Sequence, residues 1–238
     1  MKRLLILVSA LFLVSFGFSQ TGEQFFNSAN TKLQYKDFRG AIADYSSAID
    51  ALQHESDYYN NSTRDKNLNG DPKGAVADYQ KVVEANNMLA KSYCSRAAAE
   101  RNLGNYQDAL NDCNKSLELY QEDIVTHFVR GRVRFNLSDY HGAIDDFNYV
   151  VSNSQDSLEH SEVYFHRGLA RSSIQDYTGA ISDFTTAIAI KPQDAAAWSN
   201  RGFAKIQSGQ KESGCLDIAK GLELGDSNAP QLKQKYCR

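Results

Sequence analysis

Helical spacing of apolar and small residues marks the stretch from Ser161 to Asp194. Two segments each keep one face: Tyr164, Gly168 and Arg171 on the first, and Ala180, Phe184, Ala187 and Ile188 on the second. Steps of three and four residues place such positions on one side of an α-helix. The polar pair Gln175-Asp176 separates the segments, and Pro192 cannot continue the second one. The pattern therefore predicts a hairpin of two helices.

The same hairpin recurs along most of the chain. The alanine near the start of its second helix has counterparts 34 residues apart, with one step of 37, at Ala41, Ala75, Ala109, Ala143, Ala180 and Gly214. Four residues later comes an aromatic row: Tyr45, Tyr79, Cys113, Phe147, Phe184 and Ile218. The first helix carries a row of mainly aromatic residues: Phe25, Tyr59, Tyr93, His127, Tyr164 and Trp198. Four residues later it carries a row of mainly small residues: Ala29, Thr63, Ala97, Gly131, Gly168 and Gly202. A fixed period of this length predicts stacked repeats.

Period, row spacing and the terminal Pro192 together make residues 22–228 resemble the tetratricopeptide repeat family. The resemblance implies an all-α fold, a right-handed superhelical solenoid of helix-turn-helix repeats within residues 20–228. Repeats 1 to 6 would span 22–55, 56–89, 90–123, 124–160, 161–194 and 195–228. Residues 229–238 would form a capping helix over the last apolar face. The resemblance also implies a scaffold that binds other proteins on a concave face lined by the first helices.

The N-terminus has a different pattern. Lys2 and Arg3 precede an apolar run from Leu4 to Phe16, which ends near Ser19. This order predicts a signal peptide of residues 1–19 and export to the periplasm or the medium. The run is shorter than the roughly 20 residues that a membrane span needs. A retained signal anchor is the weaker alternative, and no membrane span is expected after cleavage.

Composition and motifs argue against several classes of function. A formal charge of −3 and a pI near 6.0 give no reason to expect a nucleic-acid partner. The five histidines lack metal-ligand spacing, and no glycine-rich phosphate loop is present. We therefore predict a non-catalytic protein with no cofactor and no metal. An enzyme would need a convergent pocket that the repeats do not predict.

An aspartate precedes the aromatic row in every repeat: Asp44, Asp78, Asp112, Asp146, Asp183 and Asp217. The first helices carry opposite them Ser28, Ser62, Arg96, Arg130, Arg167 and Arg201. We expect structural ion pairs of Arg96 with Asp112, Arg130 with Asp146, Arg167 with Asp183, and Arg201 with Asp217. Paired catalytic carboxylates are disfavoured, because the aspartates stand one repeat apart and regular ion-pair networks form such clusters without catalysis.

The four cysteines form two symmetric sets. Cys215 and Cys237 lie at equal distances from the connection near Asp226, which predicts a disulfide between the last repeat and the cap. Cys94 and Cys113 flank the turn of repeat 3 in the same way. The alternative for this second set is that Cys113 replaces the core aromatic residue and Cys94 is a small helix residue.

The first helix of repeat 2, Asp57–Asn69, is rich in polar residues that are poor helix formers. We expect it to be frayed, since marginal helices depend on packing. The alternative is that a partner completes it.

Binding is predicted in a groove lined by first-helix residues: Arg64, Lys91, Arg101, Phe128, Arg132, Phe135, Phe165 and Phe203. Its basic and aromatic residues would suit a protein or peptide segment with an acidic part and apolar anchors. The phenylalanines could instead pack between repeats. The predicted function is a scaffold that binds a protein or peptide in this groove. The alternative is a structural subunit of an envelope complex held through its edges. The oligomeric state and the partner stay open.

Overall fold

The computed structural model describes residues 22–154 and 160–237, and the predicted signal peptide lies outside them. These residues form α-helices and no strand: α1 22–34, α2 Phe38–Leu68, α3 Pro72–Leu103, α4 Tyr106–Leu119, α5 Ile124–Asn136, α6 Tyr140–Asn153, α7 Ser161–Ser173, α8 Tyr177–Ile190, α9 Ala195–Gln207, α10 Lys211–Glu223 and α11 Ala229–Tyr236. The predicted all-α repeat fold is confirmed. The chain divides into two compact units, unit 1 ending at Val129 and unit 2 beginning at Arg130. None of the described helices is apolar over a length that could cross a membrane.

Every hairpin turn contains a residue with a left-handed backbone, and these residues keep the period of the repeat: Lys36, Gly70, Gly104, Ser138, Gln175 and Gly209. The next residue caps the second helix. In four repeats it is an aspartate that accepts an amide hydrogen bond from a glycine three positions later: Asp37, Asp71, Asp139 and Asp176. These caps satisfy backbone donors that the helix leaves open. The turn chemistry thus fixes the start of each second helix.

In repeats 1 to 3 the helices are not interrupted at the junctions between repeats. α2 runs unbroken from repeat 1 into repeat 2, and α3 from repeat 2 into repeat 3. At the start of the first helix, Asp123 and Asp194 accept amide hydrogen bonds in repeats 4 and 6. The equivalent positions hold Glu55 and Leu89, which are 6% and 1% exposed. Ser56 and Asp57 could cap a helix, but their side chains bond to Asn86 and Gln53 instead. No proline or glycine stands at these junctions to end the preceding helix.

The two long helices run antiparallel to each other. Arg96 donates to Ser46 at 2.8 Å, and Ser56 donates to Asn86 at 2.8 Å farther along the pair. Repeat 2 occupies the distal part of the pair, and we call residues 56–89 the arm. The expected fraying of its first helix is not observed, since the helix continues to Leu68. This segment extends a helix that is already nucleated, so it avoids the cost of starting one.

One recurring hydrogen bond shows which repeats are neighbours. In unit 2 a first-helix arginine reaches the residue that follows the aromatic row of the preceding repeat: Arg167 to Asn148 at 2.8 Å, and Arg201 to Thr185 at 3.3 Å. Arg96 of repeat 3 makes the same contact with Ser46 of repeat 1, 50 residues away. Its counterpart in repeat 2 would be Gln80. Repeat 3 therefore stacks on repeat 1, and the arm is left out of the stack.

Unit 2 is regularly packed around small first-helix residues. A Cβ on Gly168 would lie 2.8 Å from the Phe184 ring. In the last repeat, a Cβ on Gly202 or Gly214 would lie 2.6 Å from the carbonyl oxygen of the other. Large side chains at these glycines would push the helices apart.

The predicted disulfide between Cys215 and Cys237 is present, with Cα atoms 5.6 Å apart. It joins α10 to α11, and the ring of Tyr236 on α11 lies 5.8 Å from that of Phe203 on α9. The last helix therefore covers repeat 6, as a capping helix should.

Candidate functional site

A cleft of about 480 Å³ lies in unit 1 where α1 meets α2 and α3 at the base of the arm. Its lining consists of Glu23, Phe26, Asn27, Leu52, Glu55, Glu84, Ala85, Asn87, Met88 and Lys91. Phe26 and Met88 are partly buried and pack on a core cluster that contains Leu52 and Leu89. The cleft thus has an apolar floor and a charged rim, a combination typical of sites that hold a side chain of a partner.

Carboxylates outnumber cations in this cleft. Glu23 and Glu84 are exposed, Glu55 is buried, and Lys91 is the ammonium group among the lining residues. The Glu84 carboxylate accepts from Lys81 at 2.7 Å, and this contact raises the pKa of Lys81. The rim of the cleft therefore presents carboxylates as well as ammonium groups, in contrast to the basic groove that the sequence suggested.

A second cleft of about 370 Å³ adjoins the first along α3. It is lined by Asn87, Ala90, Lys91, Tyr120 and Asp123, so Asn87 and Lys91 belong to both. The two clefts together form a track across α3, and we call it the α3 cleft. An extended segment could contact both parts at once.

Four of the predicted groove residues lie in unit 1. Lys91 lies in the α3 cleft, and Arg64 is exposed on the arm. Arg101 is half-buried and donates to the neighbouring Asn102 at 3.0 Å, while Phe128 is half-buried on α5. The structure therefore does not gather the basic residues of this set into one site.

The other four groove residues lie in unit 2 and are half-buried. Three of the phenylalanines have ring neighbours: Phe135 with Tyr140 at 5.5 Å, Phe165 with Phe184 at 5.9 Å, and Phe203 with Tyr236 at 5.8 Å. Burial lowers the pKa of Arg132, and the nearby Glu162 opposes this effect. These phenylalanines contribute to packing within unit 2, which was the alternative interpretation of their spacing.

The aspartate row is paired throughout the described repeats. In four of them an arginine sixteen residues earlier binds the carboxylate, each at 2.7 Å: Arg96 to Asp112, Arg130 to Asp146, Arg167 to Asp183, and Arg201 to Asp217. Ser28 and Ser62 donate to Asp44 and Asp78 at 2.5 Å. Asp112 raises the pKa of Arg96 through this contact. The aspartates thus hold each hairpin together and are not arranged as a catalytic pair.

A second cation row escaped the sequence reasoning. It lies four residues after the first and supplies another donor to the same aspartate: Lys32, Lys66, Arg134, Arg171 and Lys205. Repeat 3 has Glu100 at this position. The signal was a basic residue recurring with the period of the repeat. In repeat 1, burial raises the pKa of Asp44, but the hydrogen bonds from Lys32 and Ser28 lower it. The net effect is a lowered pKa.

Cys94 and Cys113 are buried thiols and do not form the second disulfide. Cys113 is fully buried at an aromatic-row position, as the alternative interpretation held. Cys94 lies beside Thr126, and burial raises its pKa to about 11 although the Thr126 hydroxyl lowers it. Among the described residues, no cluster of His, Cys, Asp or Glu could hold a metal ion.

Comparison with known proteins matches two of the predicted repeats to a family profile and the chain to a known fold. The sequence profile of the tetratricopeptide repeat matches residues 90–123 and 161–194, which are the bounds predicted for repeats 3 and 5. No curated protein matches the chain significantly.

Several solved structures share the fold. The MamA protein is similar over 89% of this chain and 96% of its own, with 20% identity and a TM-score of 0.60. YrrB, described as a tetratricopeptide repeat protein with an unusual peptide-binding site, matches 80% of this chain and 97% of its own, with 19% identity and a TM-score of 0.57. Cut9 of the APC/C hetero-tetramer Cut9–Hcn1 matches 97% of this chain over 46% of its own, with 16% identity and a TM-score of 0.59.

Proposed function

Because the chain contains tetratricopeptide repeats, we propose that it is a non-catalytic scaffold that binds a segment of another protein in the α3 cleft. The observation that carries the proposal is the cleft itself, with the apolar floor of Phe26 and Met88 beneath a charged rim. Peptide recognition by helical proteins commonly combines an apolar anchor in a pocket with charged contacts at its edge. Export through the predicted signal peptide is part of the same proposal.

The rim favours a particular ligand. Glu23 and Glu84 are exposed beside the floor, so a basic residue next to an apolar anchor would find opposite charge. Lys91, at the junction of the two clefts, would meet a carboxylate farther along the segment. The preferred ligand is therefore an extended segment with an apolar and a basic residue, followed by an acidic one.

The test is selection of peptides from a displayed random library on the purified chain, followed by fluorescence polarisation with the winning sequence. Glu84→Lys should weaken binding roughly tenfold or more, because it reverses a rim charge. The matched control is Glu118→Lys, since Glu118 pairs with Lys115 as Glu84 pairs with Lys81, one repeat later and outside the cleft. Equal losses in both variants, or no loss with Glu84→Lys, would overturn the proposal.

Photo-crosslinking supplies the second readout in cells. A crosslinking residue at Asn87 should capture one defined segment, and the same residue at Glu118 should not. Capture at Glu118 alone would show that binding occurs outside the α3 cleft.

A further inference from the structure

The arm exposes an apolar stripe on the first part of α3. Val76, Tyr79 and Val83 are 60%, 59% and 43% exposed, although helical spacing puts them on one side of the helix. We call these three residues the arm stripe. Exposed apolar surface of this kind commonly marks a contact with another molecule.

The same positions are covered in other repeats of this chain. In repeat 1, Tyr45 and Ile49 are 0% and 6% exposed, and α3 lies over them through the bond from Arg96 to Ser46. In repeat 5, Phe184 and Ile188 are equally buried, and α9 covers them.

In repeat 6 the position equivalent to Val76 is Cys215, which is tied to the capping helix α11. The arm stripe is thus a stacking surface made to receive a helix, and in the described part of the chain no helix covers it.

The first helix of the arm has an open face as well. In repeats 3, 5 and 6 two first-helix positions are almost fully buried: Ser92 and Ala99, Val163 and Ala170, Ala197 and Ala204. Their counterparts in the arm are Tyr58, which is 40% exposed, and Asp65, which is exposed. Repeat 3 already occupies the surface of repeat 1 on which this face would stack. The arm therefore presents two unused stacking faces.

The two faces suit each other. Between repeats 5 and 6, Ala197 packs on Ile188, and Ala204 packs on Phe184. The same register between two arms would place Tyr58 on Val83 and Asp65 on Tyr79. The first contact is apolar, and the second allows the Tyr79 hydroxyl to donate to the carboxylate. Tyr79 is equivalent to Phe184, and Asp65 is equivalent to Ala204. A polar pair in the arms would thus replace the apolar pair of repeats 5 and 6.

We propose that the arm stripe of one copy of this chain receives the first arm helix of a second copy, in the head-to-tail register of repeats 5 and 6. Tyr58 and Asp65 of the second copy cover the stripe of the first, and each arm keeps one open face, so the contact is heterologous. Charge does not oppose this pairing. The arm carries four basic and five acidic residues: Arg64, Lys66, Lys73 and Lys81, with Asp57, Asp65, Asp71, Asp78 and Glu84.

Sedimentation velocity of the full chain over a range of concentrations tests the proposal. We expect association that increases with concentration, and Val83→Glu should weaken it by roughly tenfold or more, because it buries a charge against Tyr58 of the second copy. Val125→Glu is the matched control, since Val125 is 62% exposed in unit 1 outside the arm. Circular dichroism verifies folding, and Tyr58→Glu, on the other helix of the arm, should have the same effect.

A chain that remains monomeric at about 100 μM, a concentration at which a μM interface would be saturated, would overturn the proposal. Association that withstands both Val83→Glu and Tyr58→Glu would overturn it too. The stripe residues do not line the α3 cleft, so peptide binding by Val83→Glu should be unchanged. The two proposals can therefore fail independently.

Discussion

The arm and repeat 5 have the same hairpin design and opposite surroundings. In both, an aspartate on the second helix accepts a hydrogen bond from a first-helix residue sixteen positions earlier: Asp78 from Ser62 and Asp183 from Arg167. In both, another aspartate caps the second helix. Yet Phe184 is fully buried, whereas Tyr79 in the same row is 59% exposed. The hairpin is thus an autonomous local unit, and burial of its outer face depends on whether the next helix of the chain packs over it.

The difference begins at the junctions between repeats. Repeat 6 starts after Pro192 with Asp194 as the N-cap, so its first helix turns back onto repeat 5. The arm is entered and left through Glu55 and Leu89, where the helices continue. At these two junctions the helices continue, and repeat 2 leaves the stack.

The largest expected difference is in the aromatic row. Phe184→Ala should lower the free energy of unfolding by about 3–5 kcal/mol, because it leaves a cavity over Gly168. Tyr79→Ala should change it by no more than about 0.5 kcal/mol when the chain is monomeric, since the ring is largely exposed. Urea denaturation at low protein concentration measures both. Equal losses would place Tyr79 in a packed core and contradict the comparison.

The aspartate row should give the next difference. Asp183 has a 3% exposed side chain between Arg167 and Arg171, so Asp183→Ala leaves buried cations without their carboxylate and should cost about 3 kcal/mol. In the arm, Asp78 bonds to Lys66, whose side chain is 38% exposed, and Asp78→Ala should cost about 1 kcal/mol. Thermal unfolding of the two variants checks the order, and a larger loss in the arm would refute it.

A smaller effect reports the stacking register. A double-mutant cycle of Arg96→Ala with Ser46→Ala should give a coupling of about 0.5–1.5 kcal/mol, the range for one hydrogen bond. The matched cycle of Arg96→Ala with Gln80→Ala should give no coupling energy. Coupling to Gln80 in place of Ser46 would mean that repeat 3 stacks on repeat 2.

The hairpin turns should respond alike in both regions, by the smallest amount. Gln175 has φ of 65°, so Gln175→Gly should raise stability by about 0.5–1 kcal/mol, because glycine adopts this backbone without steric cost. Gly70→Ala at the arm turn, where φ is 75°, should lower it by about the same amount. Opposite signs of equal size would show that the turns are equivalent, and an unchanged Gly70→Ala variant would show that the arm turn is unstructured.

Features that recur in every repeat could be predicted from sequence. The rows of aspartate, arginine and aromatic residues predicted the hairpins and the ion pairs, because these depend on spacing within one hairpin. The equal distances of Cys215 and Cys237 from Asp226 predicted the cap disulfide. The arm could not be found that way, since Ala75 and Tyr79 keep the period although repeat 2 leaves the stack. At the junctions, Glu55 and Leu89 stand where repeats 4 and 6 have a capping aspartate.

The α3 cleft was also beyond the sequence pattern. Its three glutamates, Glu23, Glu55 and Glu84, belong to α1, α2 and α3 and meet at the base of the arm. The predicted groove assumed that all first helices line one surface. That assumption fails for Arg64, which the arm carries away from Lys91 into solvent.

The distance between spin labels at Arg39 and Asn67 tests the arm most directly. Both positions are exposed on α2, and the buried Cys94 and Cys113 should react slowly with the labelling reagent. A continuous helix rises about 1.5 Å per residue, so the labels should lie about 42 Å apart. If repeat 2 instead folded back onto repeat 1, adjacent antiparallel helices would bring them to roughly 10–20 Å. We predict the long distance, and the short distance would contradict a continuous α2.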